Sequence, residues 1–576
     1  MSLTVDWRIG VGGRRKKSEG DIRNLESRKE ATSKPKAQKA EKLDSVCHAA
    51  LGENPSLSTH CNAQTAHKTY FLRCKVVIMR HFESILAKQN IFSLISMLVA
   101  FLFLLRLCDV ISHQLIAPFD LIYETPNLST IKLIQAGKNP YNPEIYSNVP
   151  FIITIYTPLY HYITAGLPLH YANPFLLGRI VSMMSMLLAA SVLFLVFPRD
   201  KGSLIFVSFL AFATYFSFWP VISNTAFLKN DPLALFLSVF AVALAFNLRN
   251  QDWAPVLVAF LSILAIMAKQ SYVSAAGSCL LYYLASSRRY CTRFIVSMLL
   301  FSMLIAVMAT SYWGPGFWFS TVHALRQAVT FQQGYLVVRM MLRQPMFVFL
   351  LILTALSIWL SVKGHGAKVF HDSPYLIYVL FSGTILFLTV GKTGSSTNYF
   401  FEFLIAQLMW AVYAAGKNFL IYPRKPLLSL ILLAFIFFSG VDVSCSKRLD
   451  YSFVDETIIA QRDSYYKKVK NDIKSLGVSN PSILNLFTHM HTYSITDRAH
   501  LNDPYLYMLL WKDGVLDSAS LDQSISDNYF DVIMLPSRIG PTSELMAPFD
   551  KIIARIFERY KLGLTGSGFN YYIRKT

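Results

Sequence analysis

Charge is what this sequence has least of. Only 15% of its 576 residues are Asp, Glu, Lys or Arg, against 53% hydrophobic, and the mean hydropathy is +0.40. That balance excludes an ordinary soluble domain and fits a multi-span membrane protein. Cysteine is sparse as well: seven residues are scattered with no C-x-x-C pair and no metal spacing, so neither a disulfide framework nor a zinc site is indicated. No Gly-x-x-x-x-Gly-Lys order occurs, which excludes a Walker loop. The formal charge of +20 would suggest nucleic acid in a soluble chain, but Lys and Arg fall mainly in the N-terminal segment and in short loops. They report membrane topology instead.

What is present is a series of apolar runs, near 91–108, 174–197, 203–219, 232–248, 254–268, 272–287, 294–311, 346–362, 374–390, 401–415 and 427–444. At roughly 17 to 25 residues per span these give about eleven transmembrane helices. The basic loops "PRDKG", "SSRRYCTR", "KGHGAK" and "GKNFLIYPRKP" alternate with less basic ones, which puts the first set in the cytoplasm. Residues 1–84 are polar and basic without apolar periodicity and read as a disordered cytoplasmic segment, with Met79 as an alternative initiator if the gene start is over-extended. The stretch 151–171 reads as an interfacial helix on the outer surface, with Pro158 in its first turn and Tyr156, Tyr160 and Tyr162 at headgroup level. A second long outer loop, Tyr312 to Pro345, is aromatic and amphipathic.

After the last run the charge and turn residues of a soluble domain return. "PSILNLF", "FDVIMLP" and "GFNYYIRK" read as strands, "QRDSYYKKVKNDIKSL" and "APFDKIIARIFERYK" as helices. The expected fold is therefore mainly α: a polytopic membrane protein with outer-surface amphipathic helices and a small C-terminal extracytoplasmic α/β domain. Its expected parts are 1–84, a transmembrane region 85–446 and the outer domain 447–576. The outer side is the periplasm or external face in a bacterium and the lumen in a eukaryote; the short cytoplasmic loops and the absence of an endoplasmic-reticulum retention signal favour a bacterial plasma membrane as the expectation.

Polar groups collect at the expected outer ends of the spans. Asp120 and Glu124 lie four residues apart in "APFDLIYETPN", one helical turn if that stretch is helical. Two roles are open to Asp120: a desolvated general base for an attacking hydroxyl, or the N-cap of the helix that follows. Glu124 could orient the acceptor, share a divalent metal or raise its partner's proton affinity. Arg179 lies inside a run, where an ionised side chain costs about 2.5–3.5 kcal/mol, and it either serves a purpose there or snorkels. Lys269 and Lys392 are cations at otherwise cation-poor ends, suited to a phosphate or to lipid headgroups, and Lys392 sits in a Gly-Lys-Thr-Gly-Ser-Ser stretch that could cradle an anion. Asp231 and the segment Gly391 to Glu402, with Asn398, Tyr399 and Glu402, complete the set together with Tyr156. His489 and His491 alternate along an expected strand, without a third ligand nearby.

Taken in order, "FDLIYETPNL", "GKNPYNP", "YTPLYHYITAGLP", "LLGRIVSMMSML", "LKNDPLALFL", "MAKQSYVS", "TGSSTNYFFEFLIA" and "LNDPYLYMLLWKDG" resemble the GT-C class of membrane glycosyltransferases over about residues 90–540. The resemblance is to the branch that includes protein O-mannosyltransferases, lipid A aminoarabinose transferases and lipopolysaccharide-core galacturonosyltransferase-like proteins. It implies sugar transfer from a polyprenyl-phosphate donor to a lipid, glycan or protein acceptor outside the membrane, with Asp120 as base and Arg179 at the donor phosphate. It implies no cofactor beyond a divalent metal in some members. The protein-mannosylating relatives carry adjacent Asp-Glu, whereas Leu121 follows Asp120 here. A multi-span transporter is the competing reading; against it, polar groups concentrate at one face and no internal repeat is evident.

Overall fold

The computed structural model describes residues 91–121, 123–167, 173–196, 203–325, 329–366, 368–416, 456–486, 492–537 and 550–575. All of them lie in one compact unit, Gln89–Thr576. The expected basic segment, the run 427–444 and the histidines His489 and His491 lie outside the described residues.

Every apolar run from 91 to 415 is helical. The helices are Ile91–Ile116, Leu176–Ser191, Ser203–Ser217, Asp231–Asn247, Ala254–Ala268, Ser274–Ser286, Arg288–Met308, Pro345–His365, Pro374–Thr389 and Phe401–Gly416. A helix satisfies its own backbone, the condition a lipid core imposes. Proline in the first turn starts four of these, Asp231–Asn247, Ala254–Ala268, Pro345–His365 and Pro374–Thr389, where its missing N–H costs nothing. Among the described residues, Leu176–Leu195, Arg288–Trp313, Pro345–Gly364 and Thr397–Gly416 are long and apolar enough to cross a membrane, and five shorter apolar helices accompany them.

The helix Asp231–Asn247 is central. Its buried Ala234, Ala241, Ala243 and Ala245 have little side-chain bulk, so Ala254–Ala268 and Leu176–Ser191 pack close on either side. Helix Arg288–Met308 is peripheral and leaves Leu299, Leu300, Met303 and Leu304 exposed, an apolar flank suited to lipid.

The stretch 151–171 corrects the expectation in part. Among the described residues its helix is Leu159–Ala165, with Pro158 as N-cap. Tyr160 is fully buried, not at a headgroup surface, and its hydroxyl donates to the Gly178 carbonyl at 2.9 Å and pairs with Ser182 at 3.0 Å. A buried phenol needs such partners, and the start of Leu176–Ser191 supplies them. Tyr156 precedes the helix and is half-buried.

The C-terminal residues form a four-stranded sheet in the order β1-β2-β4-β3: β1 (Ile483–Asn485), β2 (Val532–Pro536), β3 (Tyr560–Gly566) and β4 (Phe569–Arg574). β1 and β2 are parallel, and the remaining pairs are antiparallel. Strand β3 was not expected. It follows directly on helix Asp550–Arg559, and its residues are mostly exposed, so it lacks the alternation that marks a half-buried strand. Ser567 and Gly568 turn β3 into β4 with positive φ at both positions, the conformation a tight hairpin requires.

This sheet is fastened to the loops of the helical bundle. Phe151 forms a parallel bridge with Leu501, and the Asn502 side chain bonds both the N–H (3.2 Å) and the carbonyl (3.1 Å) of Ile153. Helix Glu456–Ser475 lays Tyr466 against Phe119, with ring centroids 5.5 Å apart.

Candidate active site

Asp120 sits just before helix Thr125–Gln135, whose first residues are set by Pro126 and by the left-handed backbone of Tyr123 (φ 57°). Because of that kink Asp120 and Glu124 do not share a helical face. Asp120 folds back over the helix start and accepts hydrogen bonds from the N–H of Glu124 (3.1 Å), the N–H of Thr125 (2.8 Å) and the Thr125 hydroxyl (2.6 Å). Ser494, from the C-terminal region, accepts from the Asp120 N–H at 3.1 Å. The carboxylate is almost wholly buried, at 1% exposure. Burial first, and repulsion from Glu124 second, raise its pKa to about 7 against the downward pull of these hydrogen bonds. Three bonds leave about one of a carboxylate's roughly four acceptor positions unused. The local geometry is thus a cap, and the proton affinity is that of a base poised near neutrality.

Glu124 and Arg179 form a two-pronged pair. The Arg179 Nε donates to Glu124 Oε1 at 2.8 Å and an Nη to Oε2 at 2.5 Å, and both side chains are inaccessible to solvent. The remaining Arg179 donors meet the carbonyls of Gln114, Ala117 and Phe119. Glu124 also accepts from the N–H groups of Leu121 and Leu228, each at 2.8 Å. The guanidinium neither snorkels nor points at open space. In this geometry it clamps the loop 114–124 onto the helix bundle, and no donor is left over for a phosphate.

A second polar group forms at the ends of other helices, around Asp231 and Lys269, which lie 38 residues apart in sequence. Lys269, as C-cap of Ala254–Ala268, places its ammonium 2.6 Å from Asp231 and between the rings of Tyr156 (5.3 Å) and Tyr399 (5.5 Å). Asn398 donates to the same Asp231 oxygen at 3.1 Å. Tyr156 is held in place by its neighbours, since Thr157 bonds the Ile266 carbonyl and Gln270 bonds the Ile155 carbonyl. Asp231, Lys269, Asn398, Tyr399 and Glu402 line one small open cleft, together with Ile385 and Leu386. The Glu402 oxygens are engaged by the hydroxyls of Ser238 (2.6 Å), Tyr378 (2.9 Å) and Ser274 (2.8 Å), so Glu402 fixes three helices at the floor of the cleft.

Lys392 does not line this cleft. Its backbone N–H donates to the Thr389 carbonyl and the Ser395 N–H donates to the Lys392 carbonyl, so these two amides turn the loop. Lys229 does not line the cleft either. It lies in the same "LKND" stretch as Asp231, and its ammonium donates to the neutral Asn224 amide oxygen at 2.8 Å. The charges of Asp231, Lys269, Glu124 and Asp120 all act on it. Arg179 and Lys269 are each matched by a carboxylate; among the described residues no ion pair offsets Lys229. Among the described residues no three His, Cys, Asp or Glu side chains gather as a metal site.

Asp503 escaped the sequence reading although its motif "LNDPYLYMLLWKDG" was noticed. It N-caps helix Pro504–Lys512 through the Leu506 N–H (3.0 Å), and burial raises its pKa to about 6. Asp-Pro ahead of an apolar run is a helix-start signal, which hid any other role.

Two crystal structures of ArnT from Cupriavidus metallidurans share this fold. The one bound to undecaprenyl phosphate matches with a TM-score of 0.50, over 82% of this chain and 97% of that one. The apo state matches with a TM-score of 0.52, over 82% and 98%. Sequence identity is 11% in both, so the likeness is one of fold. No family model matches the sequence, and no curated protein matches it either.

Proposed function

We propose that this protein is an integral membrane glycosyltransferase that moves a sugar from a polyprenyl-phosphate donor to an acceptor hydroxyl on the outer side of a bacterial plasma membrane. The observation that carries the reading is the position of the Lys269 ammonium, 5% exposed, at the polar end of a cleft with Ile385 and Leu386 on its wall. An anion beside an apolar groove is the chemistry of a polyprenyl phosphate. The fold likeness to a protein crystallised with undecaprenyl phosphate supports it.

In this reading the isoprenoid chain lies along the cleft, and the phosphate rests between Lys269 and Lys229, with Tyr156, Asn398 and Tyr399 shaping the sugar's place. The acceptor oxygen attacks the anomeric carbon as its proton passes to Asp120. The bond from that carbon to the phosphate oxygen breaks with inversion, and its electron pair leaves on polyprenyl phosphate. The two ammonium groups offset the negative charge that grows there, where low water content makes them count for more than at a surface. Arg179 and Glu124 act at one remove, by holding the loop that carries Asp120. The helices run with the N-terminus inside and the C-terminal sheet outside, above the cleft.

Lys229→Met and Lys269→Met separate binding from folding. Lys229→Met leaves no carboxylate unpaired, and it is expected to raise the donor KM roughly 10- to 100-fold, the worth of a charge-assisted hydrogen bond, without lowering the apparent melting temperature in detergent. Lys269→Met leaves Asp231 buried and unmatched, so melting temperature and donor KM both suffer. An unchanged donor KM in both variants would remove the phosphate from this cleft.

A further inference from the structure

A second cavity, of about 190 Å³, shares no residue with the cleft that holds Lys269. A single water needs only about 10–15 Å³, so the space suits a larger occupant. One wall is a single face of helix Thr125–Gln135, where Leu128, Ile131, Lys132 and Gln135 follow one another at helical spacing. Leu177 and Leu228 add further apolar lining. The backbone around the cavity is pinned. Leu228 donates its N–H to Glu124 (2.8 Å) and accepts from Asn127 at its carbonyl (2.9 Å), and Asn173, also on the wall, donates to the Ala117 carbonyl at 3.0 Å.

Lys132 is the cation of this cavity. Its ammonium lies 4.1 Å from the centre of the Tyr493 ring and donates to the Asp497 carbonyl at 3.2 Å, which uses one of its three donors. Among the described residues no ion pair matches it. Burial holds its pKa below the ordinary lysine value, against the weaker upward pull of the Asp497 carboxylate, and an anion beside the ammonium would relieve that cost. The cavity also continues into an apolar strip. From Leu177 the same face of helix Leu176–Ser191 carries Val181, Met184 and Leu188, with Met184 48% and Leu188 45% exposed. The stretch Leu176–Leu195 is long and apolar enough to cross a membrane, so this strip suits an acyl chain.

We propose that this cavity is a second lipid site, which takes the phosphate of an anionic phospholipid such as phosphatidylglycerol on Lys132 and Gln135 while an acyl chain follows the strip through Leu177, Met184 and Leu188. A phosphodiester accepts hydrogen bonds from an ammonium and an amide, and a basic pocket beside a span is a known way to hold an anionic headgroup. The bound lipid braces Leu228, whose N–H holds Glu124. The assignment needs a bilayer around the protein and does not depend on the sugar-transfer reading.

The test uses full-length protein, delipidated in detergent, with phosphatidylglycerol, phosphatidylethanolamine and inorganic phosphate added separately. Binding is read by native mass spectrometry and by the rise in apparent melting temperature, which grows with occupancy. The wild type is expected to bind phosphatidylglycerol more tightly than phosphatidylethanolamine and to show no rise with phosphate at the same concentration. Lys132→Met, which keeps an apolar stem, is expected to weaken phosphatidylglycerol about 10- to 100-fold, and Lys132→Arg to retain it. Gln135→Glu changes an exposed residue one turn from Lys132 and sets a carboxylate where the phosphate should lie. It is expected to weaken binding in the same direction and stands in if Lys132→Met does not fold. Wild-type affinity in both Lys132→Met and Gln135→Glu would overturn the assignment. So would a wild type that binds no lipid or does not distinguish the two headgroups. Inorganic phosphate that displaces phosphatidylglycerol at equal concentration would make this a free-anion site and overturn the lipid. None of these readouts involves sugar transfer, so the proposal can fail while the glycosyltransferase reading stands, and the reverse.

Discussion

Asp120→Asn is expected to cut sugar transfer by about 10²- to 10⁴-fold, the usual worth of a positioned general base. The loop is expected to survive. Asn caps a helix start about as well as Asp, and it can still accept from the Glu124 or Thr125 N–H. The charge itself contributes no stability to replace: the folded pKa of about 7 lies above the ordinary 3.8, so the stability this group lends is complete below about 3.8 and is lost as pH rises towards 7. The variant should therefore be at least as stable as the wild type at pH 8. The same pKa shapes the wild-type profile. The ionised carboxylate is the base, so the rate should climb roughly tenfold per pH unit from below and level off above about pH 7. A matched pH series on purified protein checks the profile, and equal thermal unfolding curves check that the variant is folded.

The second large effect is structural. Arg179→Leu is expected to destabilise the protein by about 3–5 kcal/mol, because it strands Glu124 as a buried, unmatched charge. It also removes the donors from the carbonyls of Gln114, Ala117 and Phe119. The double variant Arg179→Leu, Glu124→Leu removes the stranded charge and should regain part of the loss. The readout is the apparent melting temperature beside the donor KM of whatever protein folds. An arginine that binds donor phosphate would give the opposite pattern, a normal melting temperature with a raised donor KM.

Arg179 also shows how far sequence could reach. An arginine inside an apolar run demands an explanation, and the sequence placed it correctly at the end of a helix near Asp120 and Glu124. Its partner could not be read, because Glu124 lies 55 residues away and the kink at Tyr123 that frees Glu124 from the helical face has no signature in residue type. The helices themselves were legible, since an apolar run in a bilayer has little choice but to close its own hydrogen bonds. Most of the cleft was legible too: Tyr156, Asp231, Lys269, Asn398, Tyr399 and Glu402 were named from their places at helix ends, and the fold brings them together. Lys392 is not brought into this cleft, and a glycine-rich loop rich in N–H groups looks the same in sequence whether those groups face an anion or close a turn. Asp503 was masked by its capping role, and β3 by its exposure on both faces.

The most direct measurement is transfer from labelled undecaprenyl-phosphate sugars in membranes that contain the wild-type protein, beside membranes without it. Appearance of undecaprenyl phosphate and a glycosylated product in proportion to the protein, falling at least a hundredfold in Asp120→Asn at matched levels, is the result expected of a glycosyltransferase with this base. Turnover of no donor, or undiminished transfer by Asp120→Asn, would contradict it.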